Sequence, residues 1–353
     1  MSHLWFARAT IVLVFFLCLM LLGMIINNVF FKSSFAYYYS LAKDFIFTPE
    51  EKVETFGSRV NVLILGKGGG NHEAPDLTDT MILMSIDSRS RSITMISLPR
   101  DIWITELRAK LNSTYYWGNK KKPPTLVAGT PGGGLALTKS IVEEITGQTV
   151  QYGLVIDFEG FTQAIDILGG IRVDVENSFT DYKYPIVGRE NDNCGGDPDF
   201  KCRYETIHFD KGMQFMDGET ALKFARSRNA QGDEGTDFAR EARQEKVIEA
   251  VKNKIISKDV LLSPKKLLQI KNVALTYIEE DIGPSAAAVL TRYIFNARKN
   301  IKYYVLDPEL LMNPPKSSEY DNLYVLIPKA GDTSTGSVQD WTNVQEWIKE
   351  RLQ

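Results

Sequence analysis

From Val60 onward, three apolar runs rich in β-branched residues, at 60–65, 80–86 and 93–98, follow one another with only a Gly-rich loop and a charged turn between them. Runs this short and this closely spaced read as neighbouring strands, so the chain is committed to a sheet in this region. Asp79 opens the second run, and Arg100 and Asp101 close the third. An aspartate and an Arg-Asp pair are therefore predicted to meet on one rim of that sheet.

The remainder predicts helices against the sheet. Leu137, Ile141, Val142 and Ile145 recur at helical spacing over 135–146, and Gly147 ends the pattern. Residues 152–156 read as a strand, Asp157 as the cap of a helix over 158–168 stopped by Gly169 and Gly170, and 171–175 as a further strand. Strand, helix and strand at this spacing predict a crossover unit and an α/β fold. The polar stretch 176–206 reads as an insertion. A helix over 217–225 leads into Arg226, Ser227 and Arg228, and another opens at Asp237 and runs to about 257. Two more helices start at Ser263-Pro264 and Pro284. Strands are expected at 301–306 and 323–327, and an amphipathic helix over 338–352.

Residues 9–31 contain no charged side chain, and 23 residues at ~1.5 Å each suffice to cross a hydrocarbon core of ~30 Å. The expected organisation is a single-pass membrane anchor over 1–32, a stalk over 33–59 and a folded domain over 60–353. A cleaved signal peptide is the alternative, since Ser34 and Ala36 form a small-x-small pair. Arg8 on one side and Lys32 and Lys43 on the other leave orientation undecided. Without residues 1–32 the chain keeps 39 basic and 44 acidic side chains, a formal charge of −5, which disfavours nucleic acid as a partner. Cys18 falls in the apolar run, whereas Cys194 and Cys202 flank a seven-residue polar loop. That spacing suits a disulfide in an oxidising compartment or two free thiols, and it excludes a CxxC metal site.

Candidate chemistry begins with the helix opening at Asp237. Arg243 shares a stripe with Val247, Val251 and Ile255, and Arg240 precedes it by three. Guanidinium groups on a face that packs inward need carboxylates or an anionic ligand to answer them. Arg226 and Arg228 arrive just upstream, across a glycine-containing loop. The plainer alternative is structural: ion pairs at a helix end capped by Asp237, with Asp79 and Asp101 as strand-end caps. Other chemistries are absent from the pattern. GKGGG at 66–70 lacks the Gly-Lys-Ser/Thr of a phosphate loop, His72 and His208 are isolated, and there is no GxSxG elbow.

Taken together, LTDT at 77–80, SLPRD at 97–101, KLNSTYYWG at 110–118, DGETALKFARSR at 217–228 and DFAREARQ at 237–244 resemble, in order, the LytR-CpsA-Psr enzymes of bacterial envelopes. The resemblance implies an extracytoplasmic domain whose central mixed sheet is sandwiched between helices, preceded by one transmembrane helix in the cell membrane. It implies a Mg²⁺-dependent phosphotransferase, with a possible pyrophosphatase side activity. The donor would be a polyprenyl-pyrophosphate-linked glycopolymer and the acceptor a cell-wall glycan hydroxyl. By the same resemblance Arg100, Arg226, Arg228, Arg240 and Arg243 hold the diphosphate, Asp79 binds the metal, and Asp101 and Asp237 orient the arginines or assist deprotonation. The chain departs from that pattern at Leu77 and Gly68, where many relatives carry arginine and an acidic residue, and in 232–236, which lacks an arginine. His72, Glu73 and Asp76 are then the candidates for a second metal ligand. A noncatalytic envelope protein that binds polyprenyl-phosphate lipids is the rival function.

Overall fold

The computed structural model describes residues 39, 43–70, 74–120, 133–189, 191–329 and 340–353. The expected anchor at 9–31, Cys18, His72 and Glu73 lie outside the described residues. Among those described, no helix is long and apolar enough to cross a membrane.

The three apolar runs become β1 (Arg59–Lys67), β2 (Thr78–Asp87) and β3 (Ser92–Ser97), paired antiparallel with Leu63 opposite Leu83 and Met84 opposite Met95. Their continuous burial shows why they read as apolar runs rather than alternating ones: both faces of the sheet are covered. A short pair, β4 (Trp103–Ile104) and β5 (Ala109–Lys110), follows the rim. β6 (Tyr152–Asp157) pairs parallel with β1. The next four strands stand apart from the main sheet: β7 (Ile171–Val175) pairs with β10 (Gly212–Met216), and β8 (Phe179–Pro185) with β9 (Tyr204–Phe209). β11 (Ile278–Glu280) and β12 (Ile301–Val305) complete a six-stranded mixed sheet ordered β11-β6-β1-β2-β3-β12. A last pair joins β13 (Leu311–Met312) to β14 (Ile327–Pro328).

After β5 the described α-helices are α1 (Thr114–Asn119), α2 (Gly133–Thr146), α3 (Phe158–Leu168), α4 (Gly218–Arg226), α5 (Asp237–Ile255), α6 (Lys258–Leu261), α7 (Pro264–Tyr277), α8 (Pro284–Ala297) and α9 (Thr342–Leu352). One sheet face packs Leu63, Leu65, Leu83 and Ile96 against Ile141 and Val142 of α2 and Val344 and Ile348 of α9. On the other face Ile82 and Met95 border a cleft with Gln244 and Ile248 of α5, giving an α/β/α layering.

Two compact units divide the chain. Of the described residues, 39 and 43–52 with 284–292 form one; within it Arg292 donates to the carbonyls of Phe45 (2.9 Å) and Thr48 (3.0 Å). Residues 53–283 with 293–353 form the other. The second unit includes 53–58, expected in the stalk: Val53 is buried, and the Glu54 amide donates to the Tyr152 hydroxyl at 2.9 Å.

Two sequence expectations need correction. The segment 152–175 is strand, helix and strand with Asp157 capping and Gly169 left-handed (φ 84°), but it is no crossover within one sheet. β11 occupies the edge beside β6, and Ile171, Val173 and Val175 pack instead into a second core with Phe179, Phe209 and Phe224. Strand character at 323–327 shrinks to the two residues of β14. The polar stretch 176–206 contains a hairpin arm with a Cys194–Cys202 disulfide.

Candidate functional site

Antiparallel pairing puts the start of β2 beside the end of β3, so Asp79 and Arg100 meet as their positions in the sequence require. The Arg100 Nη1 donates to Asp79 Oδ1 at 2.7 Å, and the Asn112 amide approaches the same oxygen at 3.4 Å. Asp101 holds Arg100 from the other side, its Oδ2 3.5 Å from Nε, while its Oδ1 accepts from Lys110 at 2.6 Å. Arg100 is thus clamped between two carboxylates and cannot swing freely. Burial pushes the Asp79 carboxyl up, but the Arg100 charge, the hydrogen bonds from Arg100 and Asn112, and the Arg228 charge outweigh it. The net shift is downward.

Arg226 ends α4, which Asp217 caps by accepting from the Thr220 amide at 2.8 Å. Its guanidinium lies 4.1 Å from the centre of the Phe158 ring, and its Nη1 is 3.4 Å from the Tyr184 hydroxyl. Stacking on an aromatic face holds the plane of the guanidinium in a fixed orientation. Burial is the main influence on Tyr184 and raises its pKa despite the neighbouring Arg226 and Lys223.

The loop after α4 is fixed by a residue that the motifs do not mark. Asp181, fully buried on β8, accepts from Ser227 Oγ (2.8 Å) and from the amides of Arg228 (3.2 Å) and Asn229 (3.1 Å). It also accepts from the Lys183 amide at 2.9 Å. One carboxylate therefore orients the backbone that carries Arg228.

Thr236, rather than Asp237, caps α5, accepting from the Ala239 amide at 3.2 Å. Asp237 is the first residue of the helix, and its side chain lies outside the described positions. Just before the cap the chain passes close to itself, because a Cβ on Gly235 would lie 2.2 Å from the Ala230 carbonyl oxygen. Arg240 and Arg243 are both buried, but they serve different places. Arg243 donates through Nε to the Phe224 carbonyl (3.1 Å), through Nη2 to the Ser227 carbonyl (2.7 Å), and through Nη1 to Glu234 Oε2 (2.8 Å). Its donors are spent on the protein, which corrects the expectation that it faces an anion.

Asp79, Arg100, Arg226, Arg228 and Arg240 line one cavity of about 490 Å³. Among the described side chains, four guanidinium groups and the carboxylate of Asp79 line it, a donor set that suits an anion. Asp79 and Arg100 also border a second cavity of about 540 Å³ that includes Asp101, Lys110, Asn112 and Trp117.

Among the described residues the donor set fits Mg²⁺ in one form. That ion takes few carboxylates and fills its shell with phosphate and water oxygens. Both hydrogen bonds to Asp79 among the described residues fall on Oδ1, so Oδ2 can serve as a protein ligand. Asp76, a candidate second ligand, instead pairs with Lys67 at 3.1 Å. Asp192, Cys194 and Cys202 cluster elsewhere, but the two sulfurs are bonded to each other.

The signal that sequence reading passed over was Asp181. The run FTDYKYP puts Phe179 and Asp181 on one strand parity, and a carboxylate sharing an apolar face needs a dedicated partner. Phe158 and Tyr184 gave no motif; only the tertiary fold brings them to Arg226.

The described geometry has counterparts among known proteins. The model of the LytR_cpsA_psr family matches residues 30–334. The polyisoprenyl-teichoic acid–peptidoglycan teichoic acid transferase TagU of Oceanobacillus iheyensis is 30% identical over 247 residues, covering 69% of this chain and 65% of that protein. Biofilm regulatory protein A of Streptococcus mutans is 29% identical over 255 residues, covering 70% of this chain and 56% of that one. Both relatives thus extend beyond the part this chain matches. The crystal structure of Bacillus subtilis TagV superposes with a TM-score of 0.55 at 21% identity, covering 84% of this chain and 98% of the other, and so shares the fold.

Proposed function

We propose that this chain, which belongs to the LytR-CpsA-Psr family, transfers a glycopolymer from a polyprenyl-pyrophosphate carrier to a hydroxyl of the cell-wall glycan and releases polyprenyl phosphate. The observation that carries the reading is the cavity that Arg100, Arg226, Arg228 and Arg240 line together with Asp79. A diphosphate esterified at both ends carries two negative charges and presents planar sets of oxygens, which arginine forks match better than lysine does. The name of the TagU relative supports the same substrate class.

In this reading the acceptor hydroxyl oxygen bonds to the glycan-bearing phosphorus, the bond from that phosphorus to the bridging oxygen breaks, and polyprenyl phosphate leaves with the electron pair. The hydroxyl proton passes to solvent or to the departing phosphate. Arg226 and Arg228 bind the diphosphate oxygens, and Arg100, fixed by Asp79 and Asp101, meets the charge that grows on the leaving group. Asp101 acts as a positioning residue, because Lys110 and Arg100 already engage it. A Mg²⁺ ion on Asp79 would supply further neutralisation of phosphate charge. The second cavity, which shares Arg100, offers the acceptor an approach separate from the donor.

The test incubates the full chain with a polyprenyl-pyrophosphate-linked saccharide, Mg²⁺ and wall fragments. Release of polyprenyl phosphate together with labelled wall, lost in Arg100→Ala, is the expected result. Tight lipid binding without release in the unaltered protein would reject transfer in favour of a noncatalytic lipid-binding protein.

A further inference from the structure

The end of α5, with α6 and α7, carries a lysine-rich surface. Residues 252–277 hold six lysines against one aspartate, a local formal charge of +5 in a chain whose net charge is −3. Large aliphatic side chains stand in water among them: Leu262 is 76% exposed, Leu275 75% and Leu268 50%. On α7 the exposed residues Lys265, Leu268, Lys271 and Leu275 recur every three or four positions, so leucine and lysine share one outward stripe. The other side of the helix is committed to the domain, with Val273 buried and the Tyr277 hydroxyl accepting from Gln163 of α3 at 2.8 Å.

Asp259 answers two of the lysines, Lys254 at 2.8 Å and Lys266 at 2.9 Å. Lys258, Lys265 and Lys271 remain exposed beside the leucines. Exposed leucines repeated along one helix face suit a contact surface. The surrounding positive charge narrows the partner. Long lysine stems lie along apolar material while their ammonium groups reach anionic headgroups, and leucines enter the boundary between headgroup and acyl chain.

We propose that this face lies on an anionic lipid leaflet. α5 links it to the arginine-lined cavity: from Arg240 to Ile255 the helix rises roughly 22 Å, which sets the height of the cavity above the leaflet along that axis. The inference does not depend on the transferase reading, since a lipid-binding protein without turnover would use the same face.

The full chain, with Cys18→Ser to remove the remaining thiol and the Cys194–Cys202 disulfide left oxidised, is reconstituted into phosphatidylcholine vesicles with or without phosphatidylglycerol. An environment-sensitive fluorophore is attached at Leu262→Cys, a side chain too exposed for its loss to unfold the domain, and at Ser90→Cys as an off-patch reference. The expected result is a blue shift at 262 and quenching by brominated acyl chains, both increased by phosphatidylglycerol, with the probe at 90 quenched by aqueous iodide throughout. Lys258→Glu, Lys265→Glu and Lys271→Glu together should abolish the phosphatidylglycerol dependence. A probe at 262 as open to iodide as the probe at 90 in both vesicle types would overturn the proposal. So would shielding that ignores lipid composition and rises with protein concentration, the mark of a face covered by protein.

Discussion

Arg243 and Arg228 show how the same side chain divides between structure and chemistry. Arg243 is buried, and its removal strands Glu234 and the carbonyls of Phe224 and Ser227. Arg243→Ala should therefore cost about 3 kcal/mol of unfolding free energy in a denaturant titration, as expected when one member of a buried ion pair is deleted. Arg228 is exposed in the cavity, so Arg228→Ala should leave stability within about 0.5 kcal/mol. Its turnover should nevertheless fall by about 100-fold, the scale of losing one aimed donor. Asp79 makes a second prediction at this scale. Its folded pKa is lowered, so ionisation contributes stability above its unfolded pKa, and that contribution is lost as pH falls through the folded value. Asp79 stays ionised through the neutral range, and Asp79→Asn should lower the pH–rate profile without shifting its limbs. Loss of an acid limb in that variant would contradict the assignment.

At the scale of elements, the rim was legible because strand period and antiparallel return fix which ends meet. Asp79, Arg100 and Asp101 adjoin as their positions require. What strand character does not encode is the pairing partner, and so 171–175 was assigned to the main sheet while β7 pairs with β10. The stripe through Arg243, Val247 and Val251 gave burial at its start but not the cavity faced, and the structural alternative, an ion pair at the helix end, describes Arg243. Asp181 escaped notice because it lies in a stretch that looks like polar insertion. Since it fixes the loop after α4, Asp181→Ala should displace Arg228 and weaken binding of a polyprenyl diphosphate, measured by calorimetry. Asp181→Asn, which keeps an acceptor oxygen, should recover part of the affinity. Equal affinity in all three proteins would show that the loop is held by other means.

Over the whole molecule, the cavity gathers residues from 79 to 244, so no single segment contains the site. Ordered motifs made most of it visible, because Arg100 follows a strand end, Arg226 ends a helix that Arg228 follows, and Arg240 lies in the first turn of the next. The aromatic support from Phe158 and Tyr184 depends on how the hairpin arm and α3 pack, which local sequence does not specify. Transfer by the proposed route breaks the bond between phosphorus and the bridging oxygen, and not the bond from sugar carbon to oxygen. A donor labelled with ³²P only at the glycan-bearing phosphorus distinguishes the two. Phosphoryl transfer predicts label in the wall product and unlabelled polyprenyl phosphate; label retained on the lipid, with glycan on the wall, would contradict it.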